Sequence, residues 1–80
     1  MIATWKRDGG GCCWNWMGDG WRLATAVRMP GRWQASITFG AEYGWCEAGV
    51  MGWHEFGTLR ECKRFVGEAW ARYLVEKGAV

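Results

Sequence analysis

One histidine, one serine and four cysteines are the side chains of this 80-residue chain best suited to nucleophilic or metal chemistry, and their spacing argues against both. His54 stands beside Glu55, but neighbours along a strand point to opposite faces and cannot address one substrate atom; an ordinary surface histidine is the expectation. Ser36 lies within an alternating run without a base in view, far from the strained strand-to-helix turn that a nucleophilic serine needs. Cys12 and Cys13 are adjacent, which is not the C-x₂₋₄-C spacing that brings two thiolates to one zinc ion. Cys62 falls on an apolar helical stripe, where a thiol behaves as a small hydrophobe. Gly9-Gly10-Gly11 precedes a strand-like run, whereas a phosphate cradle needs a helix to follow. The sequence therefore predicts no catalytic set, no metal and no cofactor.

What remains is contact chemistry. Eight tryptophans, Trp5, Trp14, Trp16, Trp21, Trp33, Trp45, Trp53 and Trp70, are several times the usual load. A domain this small buries only about 60% of the surface its chain can expose, so some indoles must reach the outside. Exposed indoles are the anchors from which protein contacts are built. Trp14 and Trp16, two apart, share a strand face; they either extend the core or form an aromatic patch for protein contact or a stacking platform for bases, and both readings fit. The formal net charge is only +2, but it is unevenly spread. Residues 1–40 carry five basic side chains against two acidic ones, and residues 41–56 carry Glu42, Glu47 and Glu55 with no Lys or Arg. Such a dipolar surface steers one charged partner into one orientation.

The elements that must position these groups are a sheet and a helix. Residues 1–48 read as a meander of short strands, with Gly18-Asp19-Gly20 and Met29-Pro30-Gly31 as turns. Trp21–Arg28 alternates, with Trp21, Leu23, Thr25 and Val27 on one face and Arg22, Ala24, Ala26 and Arg28 on the other. Arg32–Phe39 alternates likewise, with Trp33, Ala35, Ile37 and Phe39 opposite Arg32, Gln34, Ser36 and Thr38. Tyr43–Ala48 is a candidate further strand, and residues 49–57 are a connection of partly extended character. Thr58-Leu59-Arg60-Glu61 is a capping box that opens a helix over 58–77. Leu59, Cys62, Phe65, Val66, Ala69, Trp70, Tyr73 and Leu74 form its apolar stripe, with a charged ladder of Arg60, Arg64, Glu68, Arg72 and Glu76 opposite. The expectation is one α+β domain: an antiparallel meander of three to five strands packed on one C-terminal amphipathic helix. The sheet face away from the helix would then show Arg22, Arg28, Arg32 and Gln34, the candidate contact residues together with Trp14 and Trp16.

The stretch from Trp21 to Tyr73, with Arg22 on one strand, Trp33, Ala35 and Ile37 on the next, and Phe56-Gly57-Thr58-Leu59-Arg60-Glu61-Cys62 leading into a helix, resembles two DNA-binding families. These are the plant ethylene-response-factor domain and the arm-type DNA-binding domain of tyrosine integrases. The resemblance implies a three-stranded sheet entering the major groove, with Arg22, Arg28, Arg32, Gln34 and Trp33 as contact candidates. In size and character the whole chain also resembles the small phage and prophage accessory proteins, among them the anti-CRISPR proteins. That resemblance implies a non-enzymatic inhibitor that occupies a surface of a host effector complex such as a CRISPR-Cas assembly. The leading expectation is such a protein-directed inhibitor, and the alternative is a small DNA-binding protein. With no secretory leader or membrane span in view, a cytoplasmic setting is expected. A monomer or a weak homodimer joined through Cys12 or Cys13 is the expected assembly.

Overall fold

The computed structural model describes residues 3–78. Five strands form one antiparallel sheet whose spatial order is the chain order: β1 (Thr4–Asp8), β2 (Cys13–Gly18), β3 (Trp21–Met29), β4 (Arg32–Ile37) and β5 (Gly52–Phe56). A single helix, α1 (Leu59–Lys77), follows and covers one side. This is the predicted α+β arrangement of a meander on one C-terminal helix.

Local chemistry sets the corners. The β2–β3 hairpin closes through Asp19 and Gly20, both at positive φ (52° and 80°), between the paired residues Gly18 and Trp21. A two-residue loop with both φ values positive has the twist that antiparallel strands require, and Asp-Gly is among the pairs that tolerate it best. Pro30 and Gly31 close the β3–β4 hairpin between Met29 and Arg32. At the head of α1 the Thr58 hydroxyl accepts the Glu61 amide at 3.2 Å, as a capping box requires. The returning bond is displaced by one residue: the Glu61 carboxylate accepts from the Gly57 amide at 3.3 Å rather than from Thr58. At the other end the Gly78 amide donates to the carbonyls of Leu74 and Val75.

The fifth strand lies where the sequence suggested a connection. Tyr43–Ala48 is not extended; Ala41–Tyr43 is a 3-10 turn, and the amides of Tyr43, Gly44, Glu47 and Ala48 donate back to carbonyls three or four residues earlier. These local bonds satisfy the backbone without a strand partner. They also deliver Trp45 into the core, at 2% exposure. Residues 52–56 instead pair along β4, from Ile37↔Gly52 to Trp33↔Phe56.

The core forms between the sheet and α1, from Ala24, Ala26, Ala35, Ile37 and Phe39 below and Cys62, Val66, Ala69 and Tyr73 above. Phe39 stacks on Tyr73 at 5.3 Å with an 8° interplanar angle, and Trp70 meets Trp16 edge-on at 5.2 Å. The predicted phase of β4 holds, with Ala35, Ile37 and Phe39 buried. The predicted phase of β3 is inverted. Ala24 and Ala26 lie under the helix with no exposure, and Thr25 and Val27 turn away. The reason is size: the helix approaches closely over alanines while the rings of Trp14 and Trp16 fill the space beside them, so the smallest side chains take the centre. A bulge then shifts the register. Trp16 pairs with Ala24 but Met17 pairs with Arg22, so Leu23 has no partner on β2. The extra residue returns Arg22 to the uncovered face. Trp21, expected in the core, is 75% exposed at the hairpin end.

Candidate functional site

Strand pairing writes the uncovered face as rows across the sheet. One row runs Lys6, Asn15, Thr25, Ser36, Trp53 through all five strands. The next runs Asp8, Cys13, Val27, Gln34, Glu55. Met29 and Arg32 pair beyond it on one side, and Thr4, Met17 and Arg22 lie on the other. Because side chains alternate along each strand, all of these project away from α1.

The middle of this face is fixed by a small polar cluster. The Thr25 hydroxyl donates to Asn15 Oδ1 at 2.9 Å, with the Trp14 carbonyl at 3.3 Å and Cys13 Sγ at 3.5 Å. Thr25 is 8% exposed although no helix covers it. Its cross-strand neighbours Asn15 and Ser36 and the bonds of the cluster enclose it. At one end Arg32 Nε lies 3.3 Å from Glu55 Oε1, which also accepts from Gln34 Nε2 at 3.3 Å. Both charged side chains are about half exposed, so the pair adds little to stability. Its consequence is electrostatic: the Arg32 charge is answered on the face itself. Trp53, 56% exposed, stands on the outermost strand of the same face.

Of the predicted contact residues, Arg22, Arg32 and Gln34 lie on this face. Arg28 does not. It shares the alternation of Ala24 and Ala26 and pairs with Trp33, which places it on the helix-bearing side at the sheet end. Trp14 and Trp16 also lie on that side, half-buried against the core. Both pack against the core, and Lys63 lies over the Trp14 ring. Trp53 and Glu55 were missed because three glycines between residues 49 and 57 hide the alternation of Trp53 and Glu55 against His54 and Phe56. Those four residues alone carry the signal.

His54 and Glu55 do face opposite sides. The histidine is not a plain surface residue, however: it is half-buried, its Nε2 donates to the Val50 carbonyl at 2.7 Å, and its ring packs on Phe65 at 4.6 Å. Cys62 is buried, while Cys12 and Cys46 are exposed. Among the described residues no three His, Cys, Asp or Glu side chains are grouped to hold a metal, and no helix is long and apolar enough to cross a membrane. Comparison with family models, with curated proteins and with solved structures found no match to this chain.

Proposed function

We propose that this chain is a non-enzymatic binding protein that acts by occupancy, laying the uncovered sheet face on a protein partner. The partner we favour is a host nucleic-acid-handling effector complex, with the chain an inhibitor of the anti-CRISPR kind made by a phage or other mobile element. The observation that carries the reading is the composition of the face. Val27, Met17 and the Thr25 cluster make a neutral centre, Trp53 is an exposed anchor at one edge, and Lys6, Arg22, Arg32, Asp8 and Glu55 supply charges of both signs around it. A neutral centre with a charged rim is the anatomy of a protein interface. A surface for duplex DNA needs several unanswered cations instead. Arg28 on the other side and Arg32 paired with Glu55 count against that alternative.

The test is retention of host effector complexes on the immobilised protein, compared with Trp53→Ala and with Arg32→Glu. Both sites are exposed, so folding should survive, and circular dichroism checks it. Retention of an effector complex by the native chain, lost in both variants, supports the proposal. Failure to retain any complex, or equal retention by the variants, overturns it. A mobility shift with random duplex DNA at low salt, lost in Arg22→Ala and Arg32→Ala, would replace it with the DNA reading.

A further inference from the structure

Three predicted contact residues, Trp14, Trp16 and Arg28, lie off the uncovered face, and two of them, Trp14 and Arg28, share one end of the sheet. Both lie on the helix-bearing side at the end of the sheet where α1 begins. There Lys63 extends from the first turns of α1 and sets its Nζ 4.4 Å from the Trp14 ring centroid and 5.7 Å from that of Trp5. Arg7 pairs directly with Trp14 across the β1–β2 ladder and so shares its face. Its guanidinium lies against the backbone of Gly11: a Cβ there would stand 2.4 Å from Arg7 Nη2. Trp14 pairs on its other side with Ala26, and Arg28 is the next residue of β3 on that face, opposite Trp33 on β4. Three cations thus share this end of the face with a half-buried indole: Lys63 lies over the Trp14 ring, Arg7 and Arg28 stand at neighbouring register positions, and Trp5 and Trp33 are on the same side.

The nearby carboxylates are turned elsewhere. Asp8 alternates to the uncovered face, and the Glu61 carboxylate caps the Gly57 amide. The head of α1 adds its own positive dipole end to the same region. Cations interleaved with indoles are the chemistry of single-stranded nucleic acid recognition: the cations follow the phosphates, and unpaired bases stack on the rings. An acidic peptide would use the cations but leave the ring faces without partners. Duplex DNA would meet the cations but keep its base faces stacked and out of reach.

We infer that this end of the helix-bearing side is a binding site for single-stranded nucleic acid, in which Arg7, Arg28 and Lys63 hold phosphates and Trp14 takes a base as Lys63 moves from its ring to a phosphate. The site is independent of the uncovered face, so either proposal can fail without the other.

The experiment uses the full chain and a fluorescein-labelled oligothymidine, read by anisotropy and by quenching of tryptophan emission. Three phosphate contacts give a slope of log Kobs against log[salt] of about −2, from roughly −0.7 for each contact with a single strand. Arg7→Ala with Arg28→Ala should weaken binding tenfold or more and flatten that slope, while Arg32→Ala on the other face leaves it unchanged. Trp14→Phe, which keeps an aromatic ring in the core, should reduce the quenching. Absence of binding at low salt, or binding insensitive to Arg7 and Arg28, overturns the inference. So does binding of heparin as tight as that of the oligonucleotide with no quenching by the latter, which would mark an unselective anion patch.

Discussion

The six-membered ring of Trp45 lies directly against the Cα of Gly40: a Cβ at that position would stand 2.8 Å from Cε3 and 2.9 Å from Cδ2. Gly40 also adopts φ +89°, a backbone conformation that L side chains rarely take. The two facts have one origin, since the chain must turn sharply after Phe39 to bring Trp45 back over the end of α1. Gly40→Ala meets a steric clash and a conformational penalty together. It is expected to lower stability by about 2–5 kcal/mol, from roughly 1–2 for the left-handed backbone and 1–3 for overpacking. Urea denaturation with tryptophan fluorescence measures it.

Trp45 is held from its polar end as well, its indole N–H donating to the Glu76 carboxylate, while Arg72 lies over its ring at 5.4 Å. One turn away the Tyr73 hydroxyl donates to Glu42 at 3.0 Å. Two loop-to-helix bonds of this kind pin residues 41–51 to α1. Trp45→Phe keeps a ring in the core and removes the donor. A hydrogen bond to a charged group contributes about 1.5–3 kcal/mol, and Trp45→Phe should lose much of that. Glu76→Gln, which keeps an acceptor oxygen, should lose less. If Trp45→Phe unfolds at the native urea concentration, the bond does not stabilise the fold.

How far the sequence discloses this arrangement depends on the kind of signal. The helix was legible from Thr58 to Lys77 because its stripe and caps are local. The hairpin at Asp19-Gly20 was legible because turn chemistry is local too. The face of β3 was not. Alternation in Trp21–Arg28 separates two sets of residues but does not say which set is inside. Hydrophobicity favours Leu23, Thr25 and Val27 over Ala24 and Ala26. The answer lies in residues elsewhere in the chain, Trp14 and Trp16 on β2 and Val66 and Trp70 on α1, which pack into the same core as Ala24 and Ala26 and fill it with their bulk. The bulge at Leu23 compounds the difficulty, because it changes the alternation partway and sends Arg22 and Arg28 to opposite sides. The contact surface therefore depended on the one parity that local patterning does not determine.

That parity gives a direct mutational test. Ala26 has no exposure under α1, so Ala26→Leu should overpack the core and cost about 1–3 kcal/mol. Val27, its partly buried neighbour on the uncovered side, should accept Val27→Thr at a lower cost than that, below about 1 kcal/mol. The reverse ranking of midpoints in urea would mean that the helix covers the other side of β3.

Cys62 supplies a pH-dependent probe of the same core. Burial, with a smaller contribution from the neighbouring Glu61 charge, raises its thiol from 9.0 to about 11. In the unfolded chain the thiol ionises near its ordinary value, so between about pH 9 and pH 11 the unfolded state loses this proton while the native state keeps it. The stabilising difference is complete below pH 9 and is lost as pH rises through that window, because the state binding fewer protons is favoured by alkali. Cys62→Ala should flatten the fall in stability over pH 9 to 11 relative to the native chain. The same burial keeps the thiol from acting as a nucleophile, since the thiolate is the reactive form. In a neutral thiol-titration assay Cys12 and Cys46 should react promptly, and Cys62 only after denaturant is added. Prompt reaction of Cys62 in the native state would mean that α1 lifts from the sheet on the timescale of the assay, and the helix would then be too mobile to fix Lys63 over Trp14.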